Sequence, residues 1–309
     1  MTPGRPRVPT IVLCLALMYT VGSSTYLAQR IAVTGFPPLR MVGLRFAVSG
    51  ALLYAVARAR GARTPSPGEW AAAALSSVPL LVMGMGGIAI AVQRMPSGLA
   101  ALVFGSVPLW TALFDRLWGG RLSRAEIAGL LVGAAGVAVA SLRGALRADP
   151  AVAVILLVAA AGHALGFVLT RRLRLPAGIL GTATQILCGG TLLLIASVAR
   201  GERSSPDGPG AGSLFALGYL IVFGSMLVYS ALGYLLRNAR PALASSHAYV
   251  NPLVALVLGA TLGGERFTLA DVLGLGLVLG AVALVALGAR ERRDVGLRAS
   301  SASVPATPR

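Results

Sequence analysis

Ten apolar segments follow one another along the chain, and short polar stretches separate them. A helix needs ~20 mostly apolar residues to cross ~30 Å of hydrocarbon, and each segment has about that length. The predicted spans are 10–31, 37–57, 70–92, 96–117, 125–142, 151–170, 177–198, 213–235, 242–262 and 269–287. Runs such as 151–161 are apolar on every side and lack the alternation that is typical of a membrane barrel. The pattern therefore predicts an all-α membrane protein with ten transmembrane helices.

The second half of the chain repeats the first. Residues 94–129 are echoed by residues 239–274 at an offset of 145. Because each half holds five spans, an odd number, the second copy enters the membrane from the opposite side, so the two five-helix repeats are inverted. We expect a first repeat at 1–142, a connecting loop at 143–150, a second repeat at 151–288 and a disordered cytoplasmic tail at 289–309. Inverted repeats of this kind are typical of membrane carriers.

Composition places the chain in lipid. Hydrophobic residues make up 56% and charged residues 12%, with a mean hydropathy of +0.80, whereas a soluble domain has about 25% charged residues. All 27 basic residues are arginine and lie mostly between the spans, so the net charge of +17 does not indicate nucleic-acid binding. With a cytoplasmic N-terminus, eighteen arginines lie inside, eight lie outside and Arg45 lies within a span. The positive-inside rule then predicts a multi-pass protein of the cell (plasma or inner) membrane with both termini in the cytoplasm.

Short motifs recur near the span ends of both halves. The first half carries Pro37-Pro38-Leu39, Leu44-Arg45-Phe46, Met95-Pro96-Ser97, Pro108-Leu109 and Gly119-Gly120-Arg121-Leu122-Ser123, and the second carries Pro241, Asn251-Pro252-Leu253 and Gly264-Glu265-Arg266-Phe267-Thr268. In order and spacing, these motifs resemble the EamA-type repeat of the drug/metabolite transporter superfamily. The resemblance implies a ten-span carrier with inverted repeats, usually an exporter of amino acids or other small metabolites. The family pattern has a glutamate in a Gly-Glu-Arg turn. The second repeat has this glutamate as Glu265, whereas the first repeat departs from the pattern with Gly120.

We therefore predict a secondary transporter that works by alternating access, not an enzyme. No P-loop or dinucleotide-binding glycine motif appears, and Cys14 and Cys188 lie mid-span without metal-ligand spacing, so we expect no cofactor and no metal. The expected partners are a small-molecule substrate and the lipid bilayer, without nucleic acid, and a homodimer is left open. One alternative is a membrane receptor or scaffold that does not transport. Another is an intramembrane hydrolase that uses Ser106 with His163, or Ser246 with His247.

Polar side chains within the spans are the candidates for the binding site, because such groups are costly in hydrocarbon and are usually retained for function. They are concentrated in the first and ninth spans. Pro108 and Pro252 occupy matching places in the two repeats, and each is expected to interrupt its helix and free a backbone carbonyl. The predicted substrate-binding residues are Tyr19, Ser23, Ser24, Tyr26, Arg45, Trp110, Ser246, His247, Tyr249 and Asn251.

Arg45 is an ionisable residue well inside a predicted span. Its guanidinium either anchors an anion or carboxylate in a central cavity, or has a structural role in which it snorkels outward or bonds to backbone carbonyls at a helix break. No Asp or Glu lies near the middle of any predicted span, so a cavity there would have a positive to neutral field. We therefore expect anionic, zwitterionic or neutral metabolites to be preferred over cations.

Overall fold

The computed structural model describes residues 8–117, 124–143, 149–204, 206, 208–238 and 247–284. These residues are largely helical, and no strand occurs among them. The helices are α1 (Val8–Ala32), α2 (Pro38–Ala59), α3 (Pro67–Ala91), α4 (Ser97–Leu117), α5 (Arg124–Arg143), α6 (Pro150–Arg172), α7 (Ile179–Ala199), α8 (Ala211–Leu235), α9 (His247–Thr261) and α10 (Leu269–Leu284). Each helix coincides with one predicted span apart from small shifts at its ends. Residues 242–246 of the ninth span, 285–287 of the tenth, 144–148 of the predicted loop and the predicted tail 289–309 lie outside the described residues. The ten-helix, all-α membrane fold is therefore confirmed.

The sequence at the helix starts explains several of these bounds. Three helices begin at a proline, which suits the first helical position because that residue needs no intrahelical N–H donor. They are α2 at Pro38, α3 at Pro67 and α6 at Pro150. Before α3, Ser66 and Glu69 form a capping box that satisfies backbone donors of the first turn. Arg63 donates to the Glu69 carboxylate, and this hydrogen bond raises the pKa of the Arg63 guanidinium above its usual value.

The two halves pack closely where α2 crosses α7. A Cβ at Gly50 would come within 2.6 Å of the Leu187 backbone nitrogen, and one at Gly190 would overlap the backbone of Ala47. The two contacts are equivalent, since each residue of the second half lies 140 positions after its counterpart in the first. Small residues at such a crossing let helix backbones approach in lipid. The matched contacts give the two-fold relation that inverted repeats require.

Each half places its first helix against the other half. Helix α1 packs on α8 and α9, and α6 packs on α3 and α4. Large apolar side chains such as Val12, Leu131 and Phe215 are exposed on the outside of the bundle. Such a surface is expected where lipid is the solvent. The interior of the bundle is thus built from helices of both halves.

The third helix of each half contains a π-helical segment. It covers Val78–Met85 in α3 and Leu220–Leu227 in α8. The hydrophobic pattern predicts continuous α-helices at both places. A π-turn widens the helix and leaves a carbonyl without its usual α-helical donor, so the carbonyl is free to accept from elsewhere. The two segments therefore offer backbone acceptors to the interior.

Candidate functional site

Ser23 and Asn251 connect α1 with α9 in the interior of the bundle. Ser23 is fully buried, and its Oγ lies 3.1 Å from the side-chain amide of Asn251. Because Ser23 Oγ already donates to the Tyr19 carbonyl at 2.6 Å, it accepts from Asn251, and the amide nitrogen of Asn251 therefore faces Ser23. In this orientation Asn251 Nδ2 also lies within hydrogen-bond distance of the carbonyls of Met18 (3.0 Å) and His247 (3.2 Å). A buried polar contact thus joins the two halves.

Ser24 and Tyr26 extend this contact along α1. The hydroxyl oxygens of Ser24 and Tyr219, in α8, are 2.6 Å apart and share a hydrogen bond. The Tyr26 ring packs edge-on against Phe104 of α4, with ring centroids 6.5 Å apart. Phe104 in turn lies 5.4 Å from the His163 ring of α6. Aromatic side chains therefore continue from α1 across α4 to α6.

Arg45 is a buried cation that is held by the other half. Only 2% of this residue is exposed. Its Nε donates to Ser225 Oγ (2.8 Å) and its Nη2 to the Gly224 carbonyl (2.9 Å), both in the π-helical segment of α8. Its Nη1 is buried without a hydrogen-bond partner among the described residues. Arg45 thus bonds to a carbonyl at a helix irregularity, the second of the two predicted alternatives, and keeps one donor edge free.

His163 and Gln185 make comparable contacts from the second half. His163 Nδ1 lies 2.9 Å from the Leu80 carbonyl in the π-helical segment of α3, and a carbonyl can only accept, so Nδ1 is the donor. Gln185 Nε2 donates to Ser76 Oγ of α3 at 2.8 Å. From sequence alone Gln185 has no partner that can be named. One sequence signal does point to Gln185. It lies 140 positions after Arg45, so the two residues occupy equivalent positions in the two repeats.

These contacts form what we name the polar seam. Its five pairs are Ser23–Asn251, Ser24–Tyr219, Arg45–Ser225, His163–Leu80 and Gln185–Ser76. In every pair, one residue belongs to the first half and the other to the second. Within the part of the chain that the structure describes, the seam is therefore a polar interface between the two repeats.

The other predicted site residues have different positions. Trp110 lies in α4 and stacks on Phe114 of the same helix, with ring centroids 6.4 Å apart. Tyr19 and His247 contribute backbone carbonyls to the seam. Ser246 lies outside the described residues, and so does the side chain of Tyr249.

The two matched prolines affect their helices differently. The α-helical pattern of α4 stops after Phe104 and resumes at Val107, beside Pro108, as predicted. Helix α9 instead continues through Pro252. The interruption in α4 packs against this second proline, since a Cβ at Gly105 would lie 3.1 Å from Pro252 Cγ. The expected interruption is therefore present in the first half and absent from the described part of α9.

The hydrolase alternative requires a serine that is activated by a histidine. Ser106 Oγ donates to the Val103 carbonyl at 2.5 Å, while His163 Nδ1 donates to Leu80. Both groups therefore use a backbone carbonyl as acceptor, and no hydrogen bond between Ser106 and His163 occurs in the described structure. This geometry does not form the first of the two predicted pairs.

A surface pocket of about 430 Å³, whose lining includes no residue of the polar seam, lies at the end of the bundle where α1 joins α2. We name this the α1–α2 end, and the opposite end the α2–α3 end. Helices α2, α3, α6 and α7 surround the pocket. Its lining includes Pro38, Gln93, Arg94, Val152, Arg200 and Glu202. The lining of the pocket thus contains charged side chains of both signs.

A ten-helix bundle of two inverted halves that meet along a buried polar seam has the architecture of a membrane carrier. The chain matches the sequence profile of the EamA-like transporter family twice, at residues 9–142 and again at 151–287. The protein therefore belongs to the EamA-like transporter family. The resemblance of its motifs to the EamA-type repeat is confirmed.

Individual relatives match over nearly the whole chain. The "Uncharacterized inner membrane transporter YedA" of Escherichia coli (strain K12) is 40% identical over 275 residues, which are 89% of this chain and 90% of that relative. The "Probable terminal-alkyne amino-acid exporter" of Streptantibioticus cattleyicolor is 25% identical over 307 residues, covering 97% and 99% of the two chains. A solved crystal structure superposes with a TM-score of 0.63 at 20% identity and covers 91% of this chain and 98% of its own. This last likeness shows the fold.

Proposed function

We propose that the protein exports small metabolites such as amino acids across the inner (plasma) membrane by alternating access. The observation that carries the proposal is the polar seam, because all five of its pairs join one repeat to the other. A rocking motion of the repeats would make and break these contacts while one interior site is exposed to each side in turn. Two relatives, one named as an inner membrane transporter and one as a probable amino-acid exporter, support the location and the substrate class.

We further infer that both termini are cytoplasmic and that the α1–α2 end faces outward. The support is the distribution of arginines. Eighteen lie at the α2–α3 end or in the terminal segments and eight at the α1–α2 end, and the positive-inside rule places the richer side in the cytoplasm. The moving units in this proposal are the repeats 1–142 and 151–288, joined by the loop 143–150 and followed by a cytoplasmic tail at 289–309.

The proposed site lies along the seam, and its charge selects the substrate. The proposed residues are Tyr19, Ser23, Ser24, Tyr26, Arg45, Trp110, Ser246, His247, Tyr249 and Asn251. Arg45 contributes a buried positive charge, and no ion pair to it occurs among the described residues. A cationic substrate there would lack a counter-charge, which costs several kcal/mol in a medium of low dielectric constant. Carboxylates, zwitterions and neutral metabolites are therefore the substrates that this site favours.

Counterflow into proteoliposomes tests this proposal. Vesicles containing the purified protein are loaded with one unlabelled amino acid at a time, and the labelled form is added outside. We expect transient accumulation of at least one amino acid and competition by other carboxylates. Protein-free vesicles are the control. Absence of counterflow across the amino acids and carboxylate metabolites tested would contradict the proposed activity, and efficient transport of quaternary ammonium compounds would contradict the proposed selectivity.

A further inference from the structure

Glu202 of the second half caps the first helix turn of α2. Its carboxylate accepts from the backbone N–H groups of Leu39 (3.2 Å) and Arg40 (3.0 Å), and from Ser197 Oγ (2.8 Å). Arg40 Nη2 also donates to the Glu202 carbonyl at 2.7 Å. The first N–H groups of a helix have no intrahelical acceptor, and the helix dipole favours negative charge at this end. Glu202 thus fastens the α7–α8 connection to the start of α2.

Glu265 does the same for α4. Its carboxylate accepts from the backbone N–H groups of Ser97 (2.7 Å) and Gly98 (3.1 Å) and forms a salt bridge with Arg30 at the end of α1. The Glu265 side chain is fully buried. Hydrogen bonds to an ionised group are stronger than neutral ones, and burial strengthens them further. A second carboxylate therefore ties the second half to the first at the α1–α2 end.

The first half contains a copy of the Glu202 turn without the acid. The segment Ala59-Arg60-Gly61-Ala62 recurs as Ala199-Arg200-Gly201-Glu202 at an offset of 140. The turns have the same backbone geometry, with φ of +82° at Gly61 and +66° at Gly201. In both, the N–H of the fourth residue donates to the carbonyl five positions earlier, at 3.1 and 3.0 Å. Ala62 therefore occupies the place of Glu202 but has no carboxylate.

The copy of Glu265 is also missing its acid, since Gly120 stands at the corresponding position, which lies outside the described residues. Helix α7, the counterpart of α2, begins after Gly178 without a side-chain cap. A charged contact between the halves at the α2–α3 end is the pair Arg172–Asp115, at 3.8 Å with side chains 43% and 45% exposed. Such an exposed ion pair contributes little to stability. Among the described residues, buried carboxylate caps thus join the halves at the α1–α2 end, while residues 118–123 and 239–246 of the other end lie outside the described structure.

We propose that Glu202 and Glu265 form a one-sided latch, which holds the α1–α2 end closed and makes the resting transporter face the opposite end. The inference rests on the proposed function, since a latch acts on a carrier that alternates between two states. In the proposed orientation, the resting carrier is closed to the outside and faces the cytoplasm, where an exporter binds its substrate. Opening to the outside requires both carboxylates to leave the helix starts that they cap.

Cysteine accessibility tests the latch without a known substrate. In a protein that lacks Cys14 and Cys188, Ser24→Cys places a reporter in the polar seam, and a membrane-impermeant maleimide is added from outside. We expect Glu202→Gln and Glu265→Gln each to raise the external labelling rate at least about tenfold, which corresponds to ~1.4 kcal/mol. Asp115→Asn is the matched control, because it removes the half-exposed pair at the other end and should change the rate less than about twofold.

A gain-of-function variant tests the same proposal by adding carboxylates at the α2–α3 end. Ala62→Glu combined with Gly120→Glu should supply the missing carboxylates, lower labelling of the reporter from the cytoplasmic side and raise it from outside. If the glutamine variants do not insert into the membrane, this double variant still tests whether such carboxylates control which end of the carrier is open.

Unchanged external labelling in folded glutamine variants would overturn the proposal. An equal rise on both sides would also overturn it, because it would indicate a loosened bundle. Labelling needs no substrate, so a failed transport screen and a failed latch are separate results.

Discussion

The buried charge of Arg45 leads to a quantitative prediction about substrate selection. Arg45→Gln removes a guanidinium whose Nη1 has no hydrogen-bond partner among the described residues. Removing one partner of a buried, hydrogen-bonded charge pair costs about 2–5 kcal/mol, whereas a hydrogen bond from a charged donor to a neutral acceptor contributes about 1.5–3 kcal/mol. If Nη1 binds the substrate carboxylate, the variant should lose about 30- to 4,000-fold in apparent affinity for that substrate. The loss for the amide analogue, which is a neutral acceptor, should be only about 10- to 150-fold.

The assay is the apparent KM for counterflow of the carboxylate substrate and of its amide analogue. Ser225→Ala is the matched control, because it removes the acceptor of Arg45 Nε, 2.8 Å away, and leaves the charge in place. We expect this control to lower the unfolding temperature and to leave the ratio of the two KM values unchanged. Equal losses for acid and amide in Arg45→Gln would show that Arg45 only fastens α8, and would refute selection by charge.

Three other predictions concern orientation, the site and packing. In the cysteine-free protein, a cysteine at Arg203 should label from outside and one at Thr64 only from the cytoplasm; the reverse pattern would overturn the orientation. Ser23→Leu and Ser246→Leu should abolish counterflow at normal membrane levels, whereas Thr20→Leu, at an exposed position of α1, should not; normal transport in both serine variants would remove these residues from the site. Gly190→Ala should lower the free energy of unfolding by about 1–3 kcal/mol, because its Cβ overlaps α2. Gly276→Ala, with open space around it, is the control, and equal stability of the two variants would contradict the close α2–α7 crossing.

The helices and the duplication are predictable from sequence for physical reasons. The thickness of the hydrocarbon sets the length of each span, and lipid excludes unsatisfied backbone, so apolar runs must become helices. The five-span repeat then gives the inversion by parity alone. Neither the length of a span nor the parity of the repeat depends on which side chains meet.

The partners within the polar seam depend on such information. Arg45 has two chemically reasonable roles in the sequence, and the choice between them rests on Gly224 and Ser225, which lie about 180 residues further along the chain. The π-helical segments have no clear sequence signal either, because a proline occurs in the first, at Pro79, and none in the second. The copy of the Glu202 turn is different, since three of its four residues repeat in the sequence and only the contact of Glu202 with α2 required the structure.

The central claim is that the two repeats expose one interior site to each side of the membrane in turn. The most direct measurement follows a single cysteine at Ser24, in the protein without Cys14 and Cys188, with an impermeant reagent applied separately from outside and from the cytoplasm. We predict that this residue labels from both sides, and that saturating substrate slows both rates, because Ser24 belongs to the proposed site that the substrate occupies. Labelling from one side only, whether or not substrate is present, would contradict alternating access.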